Sequence, residues 1–332
     1  MLLSFIGFFF AASLVFFAGK RLSFYGDLLA EHTGMGKAWT GLILMSAVTS
    51  LPELMVGVSS SALLQSPDLA MGDIMGSCAF NLCILAIMDI ATPRNRPFFG
   101  AASKTQVIAG LFGMILLSLV GLGLFLPEDI LLIPYVGITT LSFGAIYFIS
   151  IRTIYTYQSM VPAAVQEEHN TLNTLHFRTI VGRYTLFALV IVLSALTLPY
   201  FAEKIALESR LSSSFMGTLF LAVSTSLPEI AVSLSAVRRG SVDLAIGNLL
   251  GSNLFNIFIL MLDDLVYIKG DLLKDASDSH LISVFFVLMM SAVALIGFLF
   301  PSREKRAILS LTSFILLFLW VLNLGLLLTY KG

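Results

Sequence analysis

Two stretches, AVTSLPELMVGVSSS (47–61) and VSTSLPEIAVSLSAV (223–237), each set a Pro-Glu pair inside an otherwise apolar run. A carboxylate held at membrane depth costs about 2.5 kcal/mol or more to insert, so Glu53 and Glu229 read as functional groups. The prolines add chemistry of their own. Pro52 and Pro228 lack an N–H and clash with the carbonyl four residues back, which loosens backbone carbonyls around Ser46–Val48 and Ala222–Ser224. Beside them stand four hydroxyls, Thr49, Ser50, Thr225 and Ser226. Further along, Ser77 with Asn81 and Ser252 with Asn256 are spaced four apart and project from one helical face. Every donor in this set is oxygen or amide. Such a set suits hard cations, Ca²⁺ with 6–8 ligands or Na⁺, whereas soft metals prefer sulfur or imidazole. The four histidines fall outside both stretches, and Cys78 and Cys83 lie in an apolar run that suggests neither a disulfide framework nor a zinc motif.

Such residues need a membrane around them, and composition supplies it. The 332 residues are 58% hydrophobic and 12% charged, with mean hydropathy +0.95. That is about half the charge of an ordinary soluble domain. Apolar runs long enough to cross about 30 Å of hydrocarbon recur throughout. They predict an all-α integral membrane protein with ten transmembrane helices, near 2–22, 37–63, 68–91, 104–126, 129–150, 180–200, 212–237, 242–267, 281–300 and 307–329. The polar segment 151–179 reads as a linker between halves 1–150 and 180–332. Under this layout one side collects 14 of the 19 lysines and arginines. The positive-inside rule then puts the linker in the cytoplasm and both termini outside the plasma membrane. A net charge of −1 offers nothing for nucleic acid, and the sequence implies no protein partner beyond lipid and inorganic cations.

The two stretches belong to a longer repeat. Residues 49–89 align with 225–264 with one deletion, placing Glu53 on Glu229, Asp68 on Asp243, Ser77 on Ser252 and Asn81 on Asn256. Each copy occupies the second and third helices of a five-helix half (about 37–91 and 212–267). Because five is odd, the second half enters from the opposite side, giving two inverted repeats. Interrupted helices at matching positions point to a transport site at the bilayer midplane.

Blander readings stand beside this one. Membrane serines and threonines usually bond to their own helix or join neighbours, and Gly72/Gly76 and Gly247/Gly251 read as close helix contacts. Asp89, Asp263 and Asp264 read as solvated charges at helix ends. A membrane-embedded hydrolase using paired acids, or a helical scaffold, are readings from other classes. The glutamates beside prolines offer no activated nucleophile, however, and a scaffold gives no reason for duplicated buried acids.

With "TSLPE" and "GN/D-x-x-G-S-x-x-x-N" present in both halves, the chain resembles the sodium/calcium exchanger (Ca²⁺:cation antiporter) family. The resemblance implies a secondary antiporter, not an enzyme, exchanging Ca²⁺ for Na⁺ by alternating access without an organic cofactor; a Ca²⁺/H⁺ antiporter is the nearest alternative. It implies ligation by Glu53, Glu229, Thr49, Thr225, Ser50, Ser226, Ser77, Ser252, Asn81 and Asn256, with carbonyls at Ser46 and Ala222. It also implies that helices 2–22 and 180–200 slide across the core as a gate. Four positions depart from the family pattern. Val48 and Ser224 replace a glycine, Asn256 stands where many members have aspartate, and Asp73 replaces the asparagine of "GN". Asp73 shares a face with Ser77 and Asn81. It reads as a carboxylate solvated at a cavity mouth, with a role in tuning cation affinity as the alternative.

Overall fold

The computed structural model describes residues 2–92, 98–126, 131–133, 136–160, 175–209, 221–301 and 309–329. Helix α1 (Leu2–Thr33) leads into a broken pair, α2 (Lys37–Thr49) and α3 (Leu51–Leu63), bent by 43°. The first half continues through α4 (Pro67–Ala91), α5 (Lys104–Phe125) and α6 (Ile138–Met160). The second runs through α7 (Phe177–Ala195), α8 (Leu198–Ser209), α9 (Leu221–Thr225), α10 (Leu227–Arg238) and α11 (Val242–Val266). It ends with the short α12 (Leu272–Asp275), α13 (His280–Leu299) and α14 (Leu311–Thr329). Among the described residues seven helices are long and apolar enough to cross a membrane, or eight if α2 and α3 form one span. The chain is an all-α, multi-pass membrane protein.

Several expected boundaries move. Helix α1 runs eleven residues past the expected end at 22, because its polar end finds partners. Asp27 receives Arg239 Nη2 at 2.6 Å, and the same nitrogen donates to Ser23 Oγ at 2.7 Å. The span expected at 129–150 is displaced. Leu131–Ile133 pairs antiparallel with Val136–Gly137, and the helix begins only at Ile138. Pro134 has no N–H to offer a helix interior, which fits that delayed start. In consequence α6 takes up residues 151–160 of the expected linker, and α7 takes its end from Phe177. Linker residues 161–174, and residues 212–220 of the expected seventh span, lie outside the described residues.

Helices α4 and α11 form the buried centre and pack against each other. Their covering is exchanged between halves: α5 and α6 lie on α11, while α13 and α14 lie on α4. Helix α11 also packs tightly against α2, over the π-helical turn Thr40–Met45 and the residues just before it. Gly247 and Gly251 make it possible. A Cβ on Gly251 would overlap the Leu42 carbonyl, and one on Gly247 would sit 2.7 Å from Ala38 O. Gly72, by contrast, has only His280 Cε1 at 3.8 Å, so close helix contact is found at one of the two expected glycine pairs and not at Gly72.

Helix α1 lies outside this centre, against α7 and α10. It is tied to α7 by Arg183 Nη1 donating to Tyr25 Oη at 2.9 Å and by stacking of Tyr25 on Phe187 at 5.8 Å. Helix α7 in turn reaches the core, where Tyr184 Oη donates to Leu44 O at 2.8 Å.

Candidate cation site

Each Pro-Glu pair sits just after a break in its helix, and the two breaks match. Ser50 has φ −90° and ψ 7°, and Ser226 has φ −87° and ψ 8°. In both copies the proline occupies the first turn of the following helix, where its missing N–H costs nothing. The glutamate next to it therefore starts a fresh helix, close to the positive end of that helix's dipole. Duplicated sequence produces duplicated backbone.

These turns bring the two carboxylates into one buried region. Glu53 and Glu229 are each 1% exposed and lie within electrostatic reach of one another. Ser77 Oγ donates to Glu53 Oε1 at 3.4 Å. Glu229 Oε1 accepts from the repeat-equivalent Ser252 at 3.3 Å and from Ser50 across the interface at 3.5 Å. Thr49 Oγ1 lies 3.3 Å from Ser252 Oγ, so the first Pro-Glu turn packs directly on the second repeat's α11. Thr225 and Ser226 are fully buried in the matching turn.

What is left over defines the chemistry. Glu53 Oε2, Glu229 Oε2, Asn81 Oδ1 and Asn256 Oδ1 are buried without a hydrogen-bond partner, and so is Ser226 Oγ. Buried polar atoms are normally paired. The first four are acceptors, they form two repeat-related pairs, and only a donor or a cation can satisfy them. Among the described residues no three His, Cys, Asp or Glu side chains converge as a metal cluster. The centre rests on two carboxylates with amides and hydroxyls.

Two expected carbonyls stand differently. Ser46 O already accepts from Ser50 N at 2.9 Å and from Thr49 Oγ1 at 3.3 Å. It could join a cation only if the Thr49 hydroxyl turned away. Ala222 lies within the single helical turn α9.

Two asparagines escaped the sequence reading. Asn253 Oδ1 accepts from Asn81 Nδ2 at 3.0 Å and its amide donates to Cys78 O at 3.3 Å, which turns Asn81 Oδ1 away from that contact. Asn248 Oδ1 lies 3.3 Å from Thr49 Oγ1, competing with Ser46 O for its one hydroxyl hydrogen, while the Asn248 amide donates to Ser233 Oγ at 3.2 Å. The signal for Asn248 was available: it lies one turn before Ser252, at the position Asp73 holds in the first copy.

The acidic residues outside the centre correct two expectations. Asp73 is not solvated at a cavity mouth; it is 7% exposed and reaches Glu53 electrostatically. Nor are Asp89, Asp263 and Asp264 solvated end charges, since all three are buried. Asp89 accepts from Ser310 N at 3.1 Å and Ser313 Oγ at 2.6 Å, and Asp264 accepts from Leu272 N at 2.7 Å. These two, equivalent in the repeat, anchor the starts of α14 and α12 (the orphan N–H groups of a helix start favour a carboxylate there).

The family model described as "Sodium/calcium exchanger protein" matches residues 3–161 and 180–329. The chain belongs to the sodium/calcium exchanger family. It is therefore an antiporter rather than an enzyme, with inorganic cations as cargo and no organic cofactor. The chain is 27% identical to the inner membrane protein YrbG of Escherichia coli (strain K12), over 83% of its own length and 85% of the relative's. It is also 27% identical to the putative antiporter CaxA of Alkalimonas amylolytica, over 75% and 76%. A structure of the sodium-calcium exchanger NCX_Mj soaked with 10 mM Na⁺ and zero Ca²⁺ matches 98% of each chain with TM-score 0.76 at 19% identity. At that identity the likeness speaks for the fold alone.

Proposed function

We propose that this exchanger moves Ca²⁺ against Na⁺ through one centre in which Glu53 and Glu229 face the same ion. The observation that carries this is the unpartnered set Glu53 Oε2, Glu229 Oε2, Asn81 Oδ1 and Asn256 Oδ1. Two carboxylates, two amide oxygens and the hydroxyls of Ser77, Ser252, Thr49, Ser50, Thr225 and Ser226 supply enough oxygens for a dehydrated Ca²⁺. Ca²⁺ neutralises the two charges at once, and Na⁺ ions do so in competition. Carbonyls of Ser46 and Ala222 would complete the shell as their turns relax.

The packing supports two inverted five-helix halves, 1–150 and 180–332, separated by the segment from 151. The fourth and fifth helices of each half cover the third helix of the other, an exchange that suits two halves related by a pseudo-two-fold axis. In this arrangement ten spans cross the plasma membrane, with both termini outside and the linker cytoplasmic. Helices α1 and α7 lie side by side, joined by Arg183 to Tyr25 and by the stacking of Tyr25 on Phe187, and they move as one body across the core. Alternating access follows from charge: an empty centre carries two buried carboxylates, and a compensated one passes the occluded state at far lower cost.

Proteoliposomes loaded with Na⁺ should accumulate radiolabelled Ca²⁺ when diluted into Na⁺-free buffer, and should stop when the Na⁺ gradient is collapsed. Uptake that ignores Na⁺ and follows an imposed pH gradient would make the proton the counter-ion instead.

A further inference from the structure

The two halves differ at one place beside the centre, and the difference is built from several residues together. In the second half Asn248 and Ser233 close on each other through a hydrogen bond of 3.2 Å. The repeat alignment puts Asp73 at the position of Asn248 and Gly57 at that of Ser233. A neutral, satisfied pair has thus become a carboxylate and an absent side chain. The room left by Gly57 is occupied from elsewhere: a Cβ there would overlap the carboxylate of Asp263, on α11. Asp263 and Asp73 interact electrostatically, and Asp73 also reaches Glu53.

We propose that the protein holds a second cation, about one helical turn from the Glu53–Glu229 centre, between the carboxylates of Asp73 and Asp263. All four carboxylate oxygens of these residues are buried without a hydrogen-bond partner, and none of the ion pairs among the described residues involves either of them. A third unpartnered oxygen lies on α3 beyond Gly57. Ser61 lies four residues beyond Gly57, in the π-helical turn Ser59–Leu63 that ends α3, and its fully buried hydroxyl is also without a partner. Two bare carboxylates held together in a buried site repel unless a proton or a cation joins them, and a cation with open ligand positions takes both at once. Oxygen-only ligation with two negative charges selects a hard divalent ion, Ca²⁺.

Position gives the site its role. Asp73 lies near the start of α4 and Asp263 near the end of α11, so both stand toward the end of the bundle where Asp68 meets His280. An ion arriving from that end meets Asp73 and Asp263 before Glu53. The pair acts as a staging site that collects Ca²⁺ ahead of the transport centre. The inverted half has no counterpart, because Asn248 is neutral and Met88 aligns with Asp263. Staging therefore serves one side of the membrane only.

The test is equilibrium dialysis of the purified full chain in detergent against radiolabelled Ca²⁺ without Na⁺. The wild type should bind two ions per chain, and Asp73→Asn and Asp263→Asn one each. Glu229→Gln should also bind one, and combining it with Asp263→Asn should abolish binding. Asparagine keeps the volume of aspartate, and either variant that stays monodisperse on size exclusion carries the comparison. One ion on the wild type, lost in Glu229→Gln and kept in both aspartate variants, overturns the staging site and leaves the central one standing. One ion kept in Glu229→Gln and lost in Asp263→Asn supports the staging site and removes the central one. Two ions retained in both aspartate variants also overturns the proposal.

Discussion

Replacing Glu229 by glutamine is expected to abolish Ca²⁺ exchange, and Glu53→Gln should do the same. Both variants should remain folded. Glutamine preserves the volume and one oxygen acceptor, and the hydroxyl donors Ser50 and Ser252 keep an oxygen to bond. What disappears is one of two charges facing a dehydrated divalent ion. Removing one member of a buried charge pair costs about 3–5 kcal/mol, a loss of more than about 100-fold in affinity. Initial rates of Ca²⁺ uptake in proteoliposomes read the effect directly. If either variant exchanged Ca²⁺ at near the wild-type rate, that glutamate would have to leave the proposed site.

The second large effect is structural. In Gly251→Ala the new methyl would overlap the Leu42 carbonyl, which is backbone and has no rotamer to change. Helix α11 and the turn Thr40–Met45 would have to separate, just where Thr49 reaches Ser252 and Asn248. Overpacking of a tight interior costs about 1–3 kcal/mol and sometimes more; contact against main chain places this case at the upper end. Gly72→Ala is the matched control, since the nearest heavy atom lies at 3.8 Å, and it should melt at or above the wild-type temperature. Thermal unfolding in detergent separates them. Equal midpoints for Gly251→Ala and the wild type would mean that the glycine contact does not hold the centre together.

The features that were legible in the sequence are those that break a local rule. A proline and a glutamate inside an apolar run announce both the backbone break and the buried charge, and Ser50 and Ser226 carry that break with nearly the same dihedrals. Gly247 and Gly251 were legible as a close helix contact for the same reason. What the sequence hid are residues satisfied from far along the chain. Asp27 looks like a membrane-edge charge until Arg239, 212 residues away, meets it and lets α1 continue. Asp89 looks solvated until Ser310 and Ser313 arrive. Asp263 looks like its neighbour Asp264, yet one is bonded to Leu272 N and the other faces Gly57. Period and composition carry no record of such partners. Symmetry does carry some: comparing the halves position by position exposes Asn248 against Asp73 and Ser233 against Gly57.

The central claim is that one ion is shared by Glu53 and Glu229, and locating that ion tests it most directly. Long-wavelength anomalous diffraction from crystals grown in Ca²⁺ without Na⁺ should show a peak within about 2.3–2.6 Å of a carboxylate oxygen from each glutamate. The same peak should lie near the side-chain oxygen of Asn81 or Asn256. A peak bound to only one glutamate, with the other still hydrogen-bonded to its serine and away from the ion, would contradict the account.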